Sequence, residues 1–245
     1  MEHDEQHVAT AAAWADSAQA YIDFQDRGDR NRTVLLDPIM LQLCGDVRDI
    51  DAIDIGCGEG RFSRMLPERG ARVAGIDLTP AMVRAAVERD TDGAYVCGSA
   101  EHLPFGDASF DLAISYITLV DIVDFRAAIR ESARVLRRGG RLIAANLSFV
   151  TASAPWVRDD AGKRLYRPID RYAEERSQVY EWLGIRIVNW HRPLSAYMEA
   201  YLDAGLSLRD FLEPVPEDQS LRDDPSCEDW FRIPEFTVMH WERAG

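Results

Sequence analysis

The chain has 245 residues, of which 47% are hydrophobic and 29% charged. That apolar content fills a core and excludes an intrinsically disordered chain. A formal net charge of −14 disfavours a nucleic-acid substrate, because an acidic surface repels phosphate backbones.

The N-terminal stretch "MEHDEQHVATAAAWADSAQA" has acidic flanks and no basic segment before its alanine run. It is expected not to be a signal peptide. No apolar run approaches the ~20 residues of a membrane span, so a cytoplasmic protein without membrane contact is expected. Residues 5 to 44 read as helical, with Ala11, Ala15, Ala18 and Ile22 on one face. Asp37 followed by Pro38 reads as an N-cap with proline at the first helical position.

From Asp51 the texture changes to short apolar runs alternating with amphipathic segments. "DAIDIG", "RVAGIDL", "GAYVCGS", "FDLAISYI" and "GRLIAANL" read as strands. "TPAMVRAAVERD" opens with Thr79 as N-cap, and Met82, Val83, Ala86 and Val87 form its apolar stripe. "DFRAAIRESARVLRRGG" runs from Asp124 to Gly139 with Phe125, Ala128, Ile129, Ser132, Val135 and Leu136 on one face. Its basic end reads as cations at a helix C-terminus. The helix after Gly60 meets Pro67 early and is expected to be short or bent. Strands alternating with helices mean βαβ units and a parallel sheet.

The segment from about Thr151 to Trp182 is polar and aromatic without clear period and reads as an insertion. "IRIVNW" then reads as a strand, and "PLSAYMEAYLDAGL" as a helix with Leu194, Tyr197, Met198, Tyr201 and Leu202 on one stripe. "LSLRDFLE" and "FTVMHWE" alternate like strands around an acidic surface loop. The four cysteines, Cys44, Cys57, Cys97 and Cys227, form no CxxC pair, so no metal is expected.

"AIDIGCGEGRF" packs Gly56, Gly58 and Gly60 into five positions directly after the first strand of this alternating region. In open α/β sheets ligands bind beyond the carboxyl ends of the strands, and this loop is the usual place. The spacing is GxGxG, and Arg61 stands where the dinucleotide fingerprint wants its last glycine. That weakens an NAD reading and suits a ligand whose ribose and amino-acid tail follow the backbone. Asp77, at the end of the second strand, stands where a carboxylate accepts ribose hydroxyls.

"IDIGCGEGRFSRMLPERGARVAGIDLTPAMVRAA", "GSAEHLPFGDASFDLAISY" and "AAIRESARVLRRGGRLIAANL" together resemble the class I S-adenosylmethionine-dependent methyltransferases, of the small-molecule type that includes quinone-biosynthesis enzymes. The resemblance is dense from Asp51 to Leu147 and looser toward the C-terminus. It implies a Rossmann-like α/β fold: a seven-stranded, mostly parallel sheet with its last strand antiparallel and helices on both faces. An N-terminal helical cap (1–45) and an insertion (151–184) would cover the site, around a donor-binding core (46–150) and a C-terminal part of the sheet (185–245), all one domain. It also implies S-adenosylmethionine as methyl donor, S-adenosylhomocysteine as product, and a small-molecule acceptor, in a monomer or homodimer.

Carried over by residue, Asp54, Gly56, Cys57 and Gly58 would hold the donor's methionine end, with Tyr21 and Arg32 near its carboxylate. Asp77 would grip the ribose, Leu78 would pack on adenine, and Ser99, Ala100 and Glu101 would border its edge. Ser115 and Tyr116 would face the transfer region. Many relatives carry histidine just beyond, where this chain has Val120-Asp121. The aromatic residues Trp14, Tyr21, Trp156, Tyr166, Tyr172, Tyr180 and Trp182 would line the acceptor pocket or pack the cap onto the sheet. His191, at the strand-to-helix junction on the acceptor side, would orient or deprotonate the acceptor, or cap the helix and pack. In-line methyl displacement needs alignment and exclusion of water more than it needs a base. An NAD(P)-dependent oxidoreductase and a non-catalytic donor or metabolite binder remain the alternatives.

Overall fold

The computed structural model describes residues 2–149, 156–218, 221, 224 and 227–245. In chain order, helix α1 (Glu2–Asp26) is followed by a wider π-type turn (Asn31–Leu36) that runs directly into α2 (Asp37–Cys44). Strand β1 (Asp51–Ile55), α3 (Arg61–Met65), β2 (Arg72–Asp77), α4 (Pro80–Arg89), β3 (Ala94–Cys97), β4 (Phe110–Tyr116), α5 (Phe125–Val135) and β5 (Leu136–Leu147) form the alternating region. Then come β6 (Val157–Arg158), β7 (Arg164–Tyr166), β8 (Arg176–Trp182), β9 (Ile185–His191), α6 (Leu194–Asp203), β10 (Leu206–Leu212), α7 (Glu228–Arg232) and β11 (Phe236–Arg243).

Seven strands form one sheet in the order β10-β11-β5-β4-β1-β2-β3. β1 to β5 pair in parallel, and β11 runs antiparallel between β5 and β10. The first chain reversal in strand order lies between β1 and β4, which puts the loops after β1, β2 and β4 at one carboxyl edge. Strand side chains alternate between faces. Ile53, Ile55 and Ala113 join the cluster under α5 and α6, with Phe125, Ile129 and Tyr201. Ala52, Leu112, Ile114 and Tyr116 join the other cluster, under α2, α3 and α7. Both faces are covered, which is why these strands read as nearly continuous apolar runs.

α1 lies outside this sandwich. Ala18 and Ile22 pack on Met82 of α4. On its other side the Ser17 hydroxyl donates to the Arg186 carbonyl (3.0 Å) and accepts from the Arg186 N–H (2.9 Å) of β9.

Several local expectations give way to tertiary partners. Asp37 is no N-cap: it sits in continuous helical backbone, and its carboxylate takes both Arg61 guanidinium nitrogens (2.8 Å each) and the Tyr116 hydroxyl (2.8 Å). α5 ends at Val135 rather than Gly139, and Leu136 is already strand. Arg137 therefore pairs with Asp51 (2.9 Å) and Asp111 (2.5 Å), not with a helix terminus. Ala15, Val87 and Leu202, expected on apolar stripes, are exposed. The helix after Gly60 is short, and Pro67 opens a single 3₁₀ turn.

The insertion has more order than its sequence period indicated. β8 and β9 form a hairpin closed by Leu183 and Gly184, both at positive φ, the geometry of a tight two-residue turn. β9 thus stays outside the seven-stranded sheet, and residues 185–191 do not complete it as expected. The expected acidic surface loop contains α7, with Trp230 buried and its indole N–H donating to Asn31 (2.9 Å). Thr151 to Pro155 of the expected insertion lie outside the described residues. Among the described residues no helix is long and apolar enough to cross a membrane, and no group of His, Cys, Asp or Glu could hold a metal ion.

Candidate active site

The loop after β1 turns because its glycines adopt backbone that other residues resist. Gly56 (φ +73°) has Thr118 so close that a Cβ would lie 2.1 Å from its methyl group. Gly58 (φ +56°) is the opposite case: a Cβ there would meet nothing within 4 Å. Its missing side chain is open space in a cavity of about 380 Å³ at the carboxyl edge of the sheet. Positive φ favours glycine at both positions.

Asp77, at the end of β2, forms the floor of this cavity beside Gly58. One carboxylate oxygen accepts the Gly58 N–H (2.9 Å) and the other the Thr79 N–H (2.8 Å). Burial raises its pKa, and these two backbone donors oppose the rise. The group fixes the glycine loop and the start of α4 and keeps acceptor lone pairs for a ligand. Leu78, next along, is exposed at the cavity wall, as a residue waiting for an apolar partner would be. Ser99, Ala100 and Glu101 line the adjoining wall. The Ser99 oxygen accepts the Glu101 N–H (3.1 Å). The Glu101 carboxylate accepts the Asp124 N–H (2.9 Å) and meets His7 of α1 (2.7 Å).

A smaller cavity of about 40 Å³ continues under the loop and shares Tyr21, Arg32, Gly56, Gly58 and Tyr116 with the first. Gln25, Asp54, Cys57, Glu59, Arg61 and Phe62 complete it. Asp54 accepts the Ser63 hydroxyl on Oδ2 (2.7 Å), while its buried Oδ1 and both polar atoms of the Gln25 amide have no hydrogen-bond partner among the described residues. Burial lifts the Asp54 pKa to about 6 against the Ser63 hydrogen bond. Arg32 donates to the Tyr21 hydroxyl (2.9 Å), lies 3.4 Å from Asp29, and covers the Tyr116 ring at 4.5 Å. Orphaned polar atoms in a buried cavity are costly unless a ligand meets them. A carboxylate, an amide and a guanidinium around one small cavity match the ammonium and carboxylate of an amino-acid tail. A carboxylate beside an open glycine matches a ribose, so the residues present fit S-adenosylmethionine.

The structure moves several expected site residues away. Ser115 shares its strand face with Ala113, toward α5 and α6, and lines neither cavity. Of the expected acceptor aromatics Trp14 and Tyr21, both on α1, line the large cavity, and those of the insertion do not. Trp156 is sandwiched by Arg167 and Arg232 (5.1 and 4.6 Å), and Tyr166 is exposed. Trp182 ends β8, and Tyr172 packs edge-on to His191 with ring centroids 5.6 Å apart. His191 itself is buried off the cavity, with Nε2 2.8 Å from the Tyr172 carbonyl, and burial lowers its pKa. The β8–β9 hairpin presents β9 to α1, and the insertion's aromatic residues stay off the cavity.

Other residues do line it without having been foreseen: His7, Val8, Thr10 and Ala11 of α1, Met82 of α4, and Ile117, Thr118, Asp121, Ile122 and Val123 after β4. α1 carries little amphipathic signal in its alanine run, and loop positions have no period, so neither set was visible in sequence.

Residues 53–144 match the family model described as a methyltransferase domain. Over 96 residues the chain is 40% identical to a malonyl-[acyl-carrier protein] O-methyltransferase of Serratia marcescens, covering 39% of this chain and 38% of that protein. Over 143 residues it is 31% identical to a demethylmenaquinone methyltransferase of Beutenbergia cavernae, covering 56% and 58%. The chain thus spans less than two thirds of either relative. Its fold is similar to the crystal structure of an S-adenosylmethionine-dependent methyltransferase from Mesorhizobium loti, with a TM-score of 0.77 and 26% identity over 89% of this chain and 99% of that one.

Proposed function

We propose that this chain, whose residues 53–144 belong to the methyltransferase domain family, is a class I S-adenosylmethionine-dependent methyltransferase acting on a small molecule. The observation that carries this reading is the Asp77 carboxylate beside the open side of Gly58, at the floor of one cavity that continues into a second lined by Asp54 and Arg32. That pairing fits a ribose and an amino-acid tail at opposite ends of one ligand.

The bound donor supplies a sulfonium-activated methyl group. Asp77 receives the ribose hydroxyls, and Leu78 and Ala100 offer apolar surface to the adenine. Asp54 meets the ammonium and Arg32 the carboxylate. Val8, Ala11 and Trp14 of α1 close the cavity from above and exclude water, which strengthens alignment of the reacting groups. His191, held off the cavity, has no part in this reading.

Calorimetric titration separates the readings. S-adenosylhomocysteine should bind with one site per chain, and NAD⁺ should give no heat. Binding of NAD⁺ alone would return the oxidoreductase alternative. Transfer of a labelled methyl group from the donor to an acceptor in a metabolite extract separates an enzyme from a binder.

A further inference from the structure

The loop between β4 and α5 is held more rigidly than a loop needs to be. Ile117, a β-branched residue, sits at φ +58°, a strained position that surrounding contacts must impose. The Arg192 guanidinium, 1% exposed, donates to the carbonyls of Leu119 (2.9 Å), Ile122 (2.5 Å) and Val123 (3.0 Å). The Trp190 N–H of β9 donates to the Val120 carbonyl (2.7 Å). The buried Asn189 side chain, also on β9, donates to Asp121 Oδ1. Four carbonyls and one carboxylate oxygen of residues 119–123 are thereby fixed from a single neighbouring segment. Asp121 lines the large cavity, and its Oδ2 has no hydrogen-bond partner among the described residues.

The cavity it lines has Val8, Ala11, Trp14, Ile117, Ile122 and Val123 as apolar lining, with the hydroxyl residues Thr10 and Thr118 among the rest. The Arg32 guanidinium on this cavity is engaged by Asp29 and Tyr21, and the His7 ring is held by Glu101. A carboxylate acceptor would meet Asp121 with no free guanidinium to compensate, whereas an uncharged acceptor with one hydroxyl would meet apolar lining residues and the Asp121 oxygen.

We propose that Asp121 is the acceptor-facing carboxylate, accepting a hydrogen bond from the hydroxyl of an uncharged, mainly apolar acceptor and taking its proton during transfer. Asn189 and Arg192 are the positioning residues. This rests on the donor occupying the Asp77 end of the same cavity. Asp121 Oδ2 gains the proton as the acceptor O–H bond breaks and its oxygen forms a bond to the methyl carbon. The sulfur–methyl bond breaks, its electron pair stays on sulfur, and the products are a methyl ether, a neutral thioether and a protonated carboxyl that returns its proton to water. Burial holds the Asp121 pKa well above the usual carboxylate range, against the Asn189 hydrogen bond and the charges of Arg192 and Arg32, with Asp77 adding to the rise. Tyr21 of α1 also faces it. A base so raised is better matched to proton removal near neutral pH.

The test is equilibrium binding, read by calorimetry at pH 8 with S-adenosylhomocysteine saturating and three probes: 2-naphthol, 2-methoxynaphthalene and 2-naphthoate. The protein should prefer the naphthol over its methyl ether by roughly tenfold to a hundredfold, as a hydrogen bond to a charged group implies. The naphthoate should bind most weakly, and Asp121→Asn should abolish the preference while leaving S-adenosylhomocysteine affinity unchanged. In the unaltered protein the preference should fade as pH falls through the raised Asp121 pKa, a readout that survives if the variant does not fold. Absence of the naphthol preference, its persistence in Asp121→Asn, its constancy as the pH is lowered until the protein unfolds, or tightest binding of the naphthoate would each overturn the proposal. Failure of S-adenosylhomocysteine to bind would instead overturn the donor reading, and this proposal with it.

Discussion

Asp77 does two jobs with one carboxylate. It holds the Gly58 and Thr79 N–H groups and, in the proposed reading, the ribose. A charge-assisted hydrogen bond is worth about 1.5–3 kcal/mol against an unpaired group, and each 1.4 kcal/mol is tenfold in affinity. Asp77→Ala should weaken S-adenosylhomocysteine binding by roughly a hundredfold or more in calorimetry. Asp77→Asn, which keeps one acceptor oxygen, should lose less. Equal affinities for all three proteins would remove the ribose assignment. Asp54 gives a pH prediction at the other end of the ligand. Its pKa near 6 lies above the ordinary carboxylate value, because burial favours the neutral form. Below that pH the carboxyl is protonated and has no charge for an ammonium group. Donor affinity should therefore rise between about pH 5 and 7 and level off above, and Asp54→Asn should flatten the rise. The same shift means that the native state loses the benefit of a neutral Asp54 as pH climbs from the unfolded value through 6. Ligand binding and apo stability thus respond to pH in opposite directions at this residue.

At the scale of elements, α1 and the β8–β9 hairpin form a layer over the sheet's carboxyl edge. α1 is fastened by the small Ala18–Ile22–Met82 cluster, the Ser17–Arg186 pair of hydrogen bonds, the Arg89–Asp26 ion pair (2.8 Å) and the His7–Glu101 contact. By contrast, the sheet strands lie between two large clusters. Few buried apolar contacts mean low local opening free energy. Amide hydrogen exchange should be faster in residues 4–14 than in β1, β4 and β5, and should slow in α1 when S-adenosylhomocysteine and an acceptor-like ligand fill the cavity it covers. Protection of α1 equal to that of β4 without ligand would contradict a helix that opens to admit one. The hairpin's part is different. β9 and the Arg192 that follows it clamp the loop after β4, so the hairpin's contribution reaches the cavity through Asn189 and Arg192 rather than through its own aromatic side chains.

For the whole molecule, a ligand that bridges the loops after β1 and β2 and the π-type turn before α2 ties together parts that only the folded state assembles. Ligand binding to the native state alone stabilises by about 2.7 kcal/mol at a hundredfold excess over Kd. For a chain of this size that corresponds to a rise in Tm of roughly 5–10 °C. Differential scanning calorimetry with S-adenosylhomocysteine should show it, and NAD⁺ should produce no shift. The acidic net charge keeps this response specific, since a phosphate-rich ligand gains nothing from the overall field.

The sequence by itself determined the parallel core, the glycine loop and the place of Asp77 at the end of its strand, because period, turn chemistry and spacing are local and are written into consecutive residues; the donor entered through the resemblance of those motifs to a family. It also marked the short helix before Pro67. Tertiary structure alone decided where α5 ends, since Leu136 follows its strand neighbours, and where Asp37 points, since Arg61 and Tyr116 claim its carboxylate. It decided which residues line the large cavity as well. His191 and the insertion's aromatics looked functional by residue type, yet the hairpin buries or exposes them away from the cavity. Asp121 looked like a departure from its relatives, yet Asn189 and Arg192, some seventy positions further along the chain, hold it at the cavity wall. Contacts between residues that far apart leave no period in the sequence, and only packing brings them together.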